Sequence, residues 1–333
     1  MHEFKLIMNI SPVSRVFMTI GLAVVLTLPA YAMEDVTEPD ELSDAVSTAP
    51  AEPGSRKSVE EIAREMSNPL AAFFSFPVEY QYRTYQGDIP GAGDHSSSSF
   101  IFGATLPFRQ KDGKGWVFRF ALPFIEDQPI YWADRGYAEW RIRQQDPMAQ
   151  GEGFWEDTHG HTDAVSFDLV YGGVKDSGLI LSYGLAGILP TTSDTSNGRQ
   201  QLILGPEVNI GKMTDRVVYG ALISHIIDVA EKKDKGTPDT TQTTIQAYFS
   251  YGLGNAWQLI SNPTITYDWE GDSGNKLNLP LGVGIAKTVS LGKMPLRMAA
   301  EVQKYVVSTD RFSSDWLFKL TITPVISGKY TRH

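Results

Sequence analysis

Two neighbouring stretches, Ser99–Phe108 (SFIFGATLPF) and Trp116–Ile125 (WVFRFALPFI), decide how this chain folds. In the first, Phe100, Phe102, Leu106 and Phe108 fall on alternate positions together with Ala104, opposite Ser99, Gly103 and Thr105. In the second, Phe118, Phe120, Leu122 and Phe124 oppose Arg119 and Ala121. Successive side chains of a strand point to opposite faces, whereas a helix would scatter these residues around its axis. Each stretch therefore reads as a strand with one large apolar face and one small or polar face.

The same period runs outward in both directions. It starts at Phe76–Tyr85, where Val78, Tyr80 and Tyr82 alternate with Glu79, Gln81 and Arg83. It recurs over 162–172, 178–190, 201–210, 216–228, 242–251, 256–269, 276–288, 295–307 and 316–326. Each of the twelve segments is near the ~9–11 residues a tilted strand needs to cross a bilayer. The expected fold is all-β: a transmembrane antiparallel up-and-down β-barrel of about 12 strands over residues 76–326, in contact with outer-membrane lipid. With the first strand entering from the periplasm, the connections over 109–115, 173–177, 211–215, 252–255 and 289–294 are short. Those on the other side, 86–98, 126–161, 191–200 and 229–241, are mostly longer, as in bacterial outer-membrane barrels. A soluble β-sandwich or lipocalin-like barrel is the alternative, since alternation alone does not separate a core from lipid. A dozen segments whose second face is rich in Glu, Gln, Arg, Asp, Asn and Thr favour a polar lumen. Pro206, Pro263, Pro280 and Pro324 fall inside these segments, and each removes a ladder donor, so bulges or broken pairing are expected there.

Composition agrees. Hydrophobic residues make up 42% of the 333, and the mean hydropathy is -0.19. Neither fits a bundle of transmembrane helices, each of which would need an apolar run of roughly 20 residues. The chain has no cysteine, which excludes thiol catalysis, disulfides and Cys-based zinc sites. A formal net charge of -10 without any basic cluster speaks against nucleic acid as a partner.

The start of the chain reads as an address. Lys5 and Arg15, the apolar run Val16–Leu28 and the small residues of Ala30-Tyr31-Ala32 form a secretory signal peptide over 1–32. Residues 33–58 are acidic and rich in Pro, Ala, Ser and Thr, a flexible linker. Ser58, with Glu61 at capping-box spacing, opens a short helix to about Met66, and 59–75 forms that helix and a lead-in to the first strand. The expectation is a small periplasmic helix closing the barrel mouth; a plug inside the lumen is the alternative. Residues 327–333 form a polar tail.

Several stretches resemble the outer-membrane β-barrel family named for the MetA pathway of phenol degradation, whose members are often labelled transporters. They are Ser67-Asn68-Pro69-Leu70-Ala71 leading to Phe76-Pro77, Leu189-Pro190-Thr191-Thr192, Tyr219-Gly220-Ala221-Leu222 with His225, and Thr266-Tyr267-Asp268-Trp269-Glu270. The resemblance spans roughly 67–326. It implies an outer-membrane barrel passing small hydrophobic or aromatic solutes, and it transfers no catalytic residues. The long stretch 126–161 and the polar C-terminal extension depart from the family pattern.

Alternation assigns the lumen-lining candidates Glu79, Arg83, Arg119, Asp168, Glu207, Asp268, Arg297, Glu301 and Lys319. Four are basic and five acidic, a balance that argues against a strongly ion-selective pore and for ion pairs crossing the lumen. The stretch 126–161 is long enough to need a role of its own; Tyr131, Trp132, Trp140, Phe154 and Trp155 make it the candidate lid. Glu156, Asp157, His159, His161 and Asp163 carry donor atoms a metal could use, but acidic loops are ordinary on a cell surface, and neither metal nor cofactor is assigned. An esterase would need a Ser and a His on neighbouring strands. Here Ser224 and His225 are adjacent in sequence and so on opposite faces, and no G-x-S-x-G elbow occurs. The reading is a non-enzymatic channel or transporter, with a closed structural or surface-interaction barrel as the alternative.

Overall fold

The computed structural model describes residues 58–110, 113–132, 153–193, 200–231, 239–292 and 294–326. The signal segment, the linker up to residue 57, the tail 327–333 and Trp140 lie outside the described residues. One helix, α1 (Val59–Met66), precedes the strands. These are β1 (Phe74–Ser75), β2 (Val78–Gln86), β3 (Ser96–Arg109), β4 (Gly115–Trp132), β5 (Phe154–Thr162), β6 (Ser166–Val174) and β7 (Leu179–Ile188). They continue with β8 (Gln201–Met213), β9 (Val217–Glu231), β10 (Thr241–Gly254), β11 (Trp257–Ser261) and β12 (Thr264–Asp268). The last three are β13 (Leu277–Leu291), β14 (Met294–Val307) and β15 (Ser313–Ile326).

Every pairing is antiparallel, and β15 returns to β2 through partners such as Phe318↔Tyr82, so the sheet closes into a 12-strand barrel. Three walls are shared by two short strands each. β1 continues the line of β2 between β3 and β15. The upper and lower parts of β4 pair with β5 and β6, and β10 pairs with both β11 and β12. One end of the barrel has tight connections, such as the two-residue turn Asn255–Ala256 with φ of 49° and 57°, the left-handed pair a type I′ hairpin requires.

Side chains sort by face as alternation demands. The outer face exposes large apolar groups, among them Phe102, Leu181, Leu185, Ile210, Leu281 and Phe318. Aromatic rings gather at both edges of that face. Trp116, Tyr171 and Tyr183 make consecutive ring contacts near the short turns, and Trp316–Phe318 and Tyr267–Trp269 lie toward the long connections.

The prolines break the ladder where the missing donor demands it. At Pro206 the β8–β9 pairing skips from Leu204↔Ile227 to Glu207↔Ser224. Pro263 separates β11 from β12, and Pro280 sits at a register shift against β14. Pro324 lies between the β2 and β1 pairings of β15, where its carbonyl accepts from Phe76 N at 3.1 Å. Pro107 and Pro123 are also within strands: Pro107 lies beyond the end of β1, and Pro123 lies where β5 gives way to β6.

Two expectations need correction. The stretch 126–161 is not all connection: β4 runs on to Trp132 and pairs with β5, so its described parts are an extended hairpin. Its residues read as a loop because alternation loses its apolar member where polar residues such as Asp127, Gln128, Asp157 and Thr158 line up. The N-terminal segment, too, does more than close a mouth. After α1 the chain turns into the lumen, where Leu70 is buried against Val117, Val170, Ile180, Val218, Leu222 and Tyr248. These inner-face positions of β4, β6, β7, β9 and β10 are apolar because they meet a plug, not water.

Candidate functional site

The plug is tied down by polar side chains reaching from the wall. Gln258 Nε2 donates to Ala63 O at 3.1 Å and Arg297 Nη1 donates to Met66 O at 3.3 Å. Asn68 Oδ1 accepts from Leu70 N at 2.9 Å, which shapes the turn that presents Leu70 to the opposite wall. Ala63, Asn68, Leu70 and Phe73 are all buried.

Above the plug lie two cavities that share part of their lining. One, of about 320 Å³, is bounded below by residues 66–73 and reaches Arg119, Asn262, Thr264 and Arg297. The other, of about 370 Å³, is lined by Ile101, Ile188 and Ile226 and by Glu79, Arg119, Asp168 and Glu207. Arg119 borders both. Its Nε donates to Asp168 Oδ1 at 2.8 Å and its Nη2 to Glu207 Oε1 at 3.1 Å. The guanidinium thus lies along the wall from β4 past β6 and β7 to β8, over the small inner-face residues Gly184 and Ala186.

A second network lies on the opposite wall. Glu301 Oε2 is 3.1 Å from Lys319 Nζ, and Glu301 also accepts from Gln303 Nε2 (2.8 Å) and from Asn262 N (2.8 Å) and Nδ2 (3.2 Å). Asn262 O accepts from Gln303 Nε2 at 3.0 Å and Lys319 Nζ at 3.3 Å.

The remaining candidates stand apart. Glu79 accepts from Gln81 and Thr321 (2.7 and 2.9 Å), Arg83 donates to Gln81 and Ser314 (3.1 and 3.2 Å), and Asp268 Oδ1 accepts from Glu270 N at 3.0 Å. Among the described residues, the ion pairs of the lumen candidates run along the wall between near strands, not across the lumen as the sequence reading expected. Small residues on the intervening strands, such as Gly184 and Ala186, open a path along the wall.

The end with long connections carries an aromatic cap. Trp155 contacts His95, Phe312 and Tyr131, with ring centroids 4.1, 4.9 and 5.1 Å away, and Phe312 stacks on Tyr85 at 4.4 Å. Trp155 Nε1 donates to Pro90 O at 2.8 Å. Of the lid candidates, Tyr131 and Trp155 join the cap, Trp132 Nε1 donates to Glu156 at 2.9 Å, and Phe154 is buried. Tyr85, His95 and Phe312 went unnoticed in the sequence because each sits alone among polar residues and meets the others only when the loops close over.

Among the described residues no three His, Asp or Glu side chains converge on a point that could hold a metal ion. His159 pairs with Asp127, at 3.1 Å. His225 is exposed on the outer face, with Nδ1 2.9 Å from Thr243 Oγ1, while that hydroxyl accepts from Trp269 Nε1 at 2.9 Å.

No family model and no curated protein matches this chain, so the resemblance to the phenol-degradation family has no sequence match behind it. Solved structures do match. An outer membrane channel from Pseudomonas putida F1 superposes with a TM-score of 0.55 at 12% identity, covering 76% of this chain and 95% of that one. The NanC porin (TM-score 0.43, 10% identity, covering 74% and 98%) and outer membrane phospholipase A from Escherichia coli (0.38, 10%, covering 76% and 90%) are more distant, and neither likeness bears on function. What the chain shares with the first of these is the fold: a closed β-barrel of the kind that outer-membrane channels use.

Proposed function

We propose that this chain is an outer-membrane channel for small hydrophobic or aromatic solutes, acting without cofactor or catalysis. The exposed apolar outer face, edged by two rows of aromatic rings, meets lipid; the short turns face the periplasm and the long connections the exterior. The observation that carries the reading is the chamber within the lumen beside Arg119. Ile101, Ile188 and Ile226 give it aliphatic walls, while Glu79, Arg119, Asp168 and Glu207 keep it hydrated. An apolar pocket with a few convergent polar groups is the usual form of a small-molecule site. Trp155 and its partners would be the first surface a solute meets, and the mixed lining lets it pass without being held.

The closed-scaffold reading draws on a specific feature too, the plug at the periplasmic end. Uptake by cells carrying the barrel separates the two. They should accumulate a small neutral aromatic faster than matched cells without it. Trp155→Ala should raise uptake of both that compound and an aliphatic of similar size, erasing the preference. Equal uptake with and without the barrel would leave only the scaffold.

A further inference from the structure

The cavity that rests on the plug is lined by positive charge alone. Arg119 and Arg297 border it, and among the described residues no Asp or Glu does. Arg119 is already engaged, its Nε and Nη2 given to Asp168 and Glu207. Arg297 is not. Among the described residues its guanidinium makes one hydrogen bond, Nη1 to Met66 O at 3.3 Å, and its Nε is enclosed without a partner. Glu301 stands two inner positions further along β14, but it is committed to Lys319, Asn262 and Gln303. Arg83, another lumen arginine with no carboxylate, borders neither cavity and gives its N–H groups to Gln81 and Ser314.

An arginine is charged at any physiological pH, and a charge withdrawn from bulk water without a counter-ion is costly. Holding the plug does not require that charge. Met66 O is a neutral acceptor that an amide could serve, as Gln258 Nε2 serves Ala63 O at 3.1 Å on the same segment. What arginine adds over glutamine is a charge to be met, and a fork of N–H groups that fits a planar oxyanion. Two neighbours bring further donors to the same cavity. Thr323 is the partner of Arg297 in the β14–β15 ladder. Asn68, whose Oδ1 is taken by Leu70 N, keeps its amide N–H groups to give.

The rest of the lining is apolar where the plug supplies it. Met66, Pro69, Ala71 and Phe73 form the floor, with Leu222 and the Tyr248 ring on the wall beside them. At about 320 Å³ the space lies at the small end of the range for ligand sites, enough for one ring and its substituent. We infer that this cavity is a binding station for a small aromatic monocarboxylate, its carboxylate paired with Arg297 and its ring against the plug. One uncompensated arginine calls for one negative charge, and the apolar floor calls for a ring, so an inorganic anion satisfies only half of the site. The inference rests on the channel reading above and names the solute that the lumen holds; neutral aromatics pass the same cavity without stopping.

Equilibrium dialysis of radiolabelled benzoate against the folded barrel in detergent tests the station. Benzamide is the neutral probe of the same shape, and acetate and inorganic phosphate are the anions without a ring. Benzoate should bind, and each of the other three should bind more weakly by on the order of tenfold or more. Two variants withdraw the charge in different ways. Arg297→Gln deletes it and keeps a donor for Met66 O, whereas Thr323→Asp sets a carboxylate beside Arg297 and leaves its bond to the plug. Each should weaken benzoate by on the order of tenfold or more and leave benzamide unchanged. Gel mobility shows which variants fold, and either one alone decides the matter. Equal benzoate binding by wild type and a folded variant, or none by wild type, would overturn the station, while barrel-dependent uptake of a neutral aromatic would keep the channel reading. Acetate or phosphate competing as well as benzoate would overturn the aromatic assignment. Benzoate binding to a barrel that admits neither benzoate nor a neutral aromatic into cells would overturn the channel reading, and the station with it.

Discussion

The two polar networks of this barrel use the same chemistry on walls of opposite construction. On one side Arg119 lies between Asp168 and Glu207, 2.8 and 3.1 Å away, over β6, β7 and β8, where the β6–β7 and β7–β8 ladders run unbroken. On the other, Glu301 and Lys319 sit over a stretch with no ladder pairs and bind the main chain of Asn262. The first network decorates a wall; the second replaces part of one. A buried ion pair is in general weak evidence of stability, because desolvation offsets much of the attraction, but removing one member strands the other. What separates the two sites is how much else depends on the survivor.

Deleting one carboxylate from each network separates the two most strongly. Glu301→Ala leaves Lys319 unpaired and Asn262 N–H without its acceptor, and should destabilise the barrel by about 3–5 kcal/mol. Glu207→Gln leaves Arg119 with Asp168 and should cost only about 1–3 kcal/mol. The temperature at which gel mobility changes from folded to unfolded reports both. Equal shifts would mean that the Asn262 network is ornament as well.

A second contrast sets the two faces of a continuous wall against each other. Phe102 is exposed on the outer face of β3, and Thr105 lines the cavities within. Phe102→Arg puts a cation into lipid and should cost about 2–4 kcal/mol near the midplane. Thr105→Arg projects into a hydrated lumen and should cost less, although Arg119 is near. Assembly yield in outer membranes measures the difference, and equal damage would point to a two-sided dry core.

Much of this could be read from residue order. Alternation in SFIFGATLPF and WVFRFALPFI fixed strand, face and partner, and the ladder Phe102↔Leu122 joins the two stretches as that reading requires. The prolines announced the breaks. What could not be read was anything depending on which strands face each other across the lumen. Leu70 is an ordinary leucine until Val170, Ile180 and Val218 surround it. Asn262-Pro263 looks like a turn signal, and only the closed sheet brings Glu301, Gln303 and Lys319 onto it. The pair Gly282 and Gly284, alternate on one face, was the available clue, since a strand that gives up two inner side chains leaves room for something to cross.

On the proposed reading the inside of this barrel is a path. Single-channel recording in planar bilayers, with and without a small neutral aromatic, tests it most directly. Small, discrete openings are expected, because the plug narrows the lumen, with briefer openings once the aromatic occupies the chamber. Persistent silence from barrels shown to be folded by their gel mobility would contradict it.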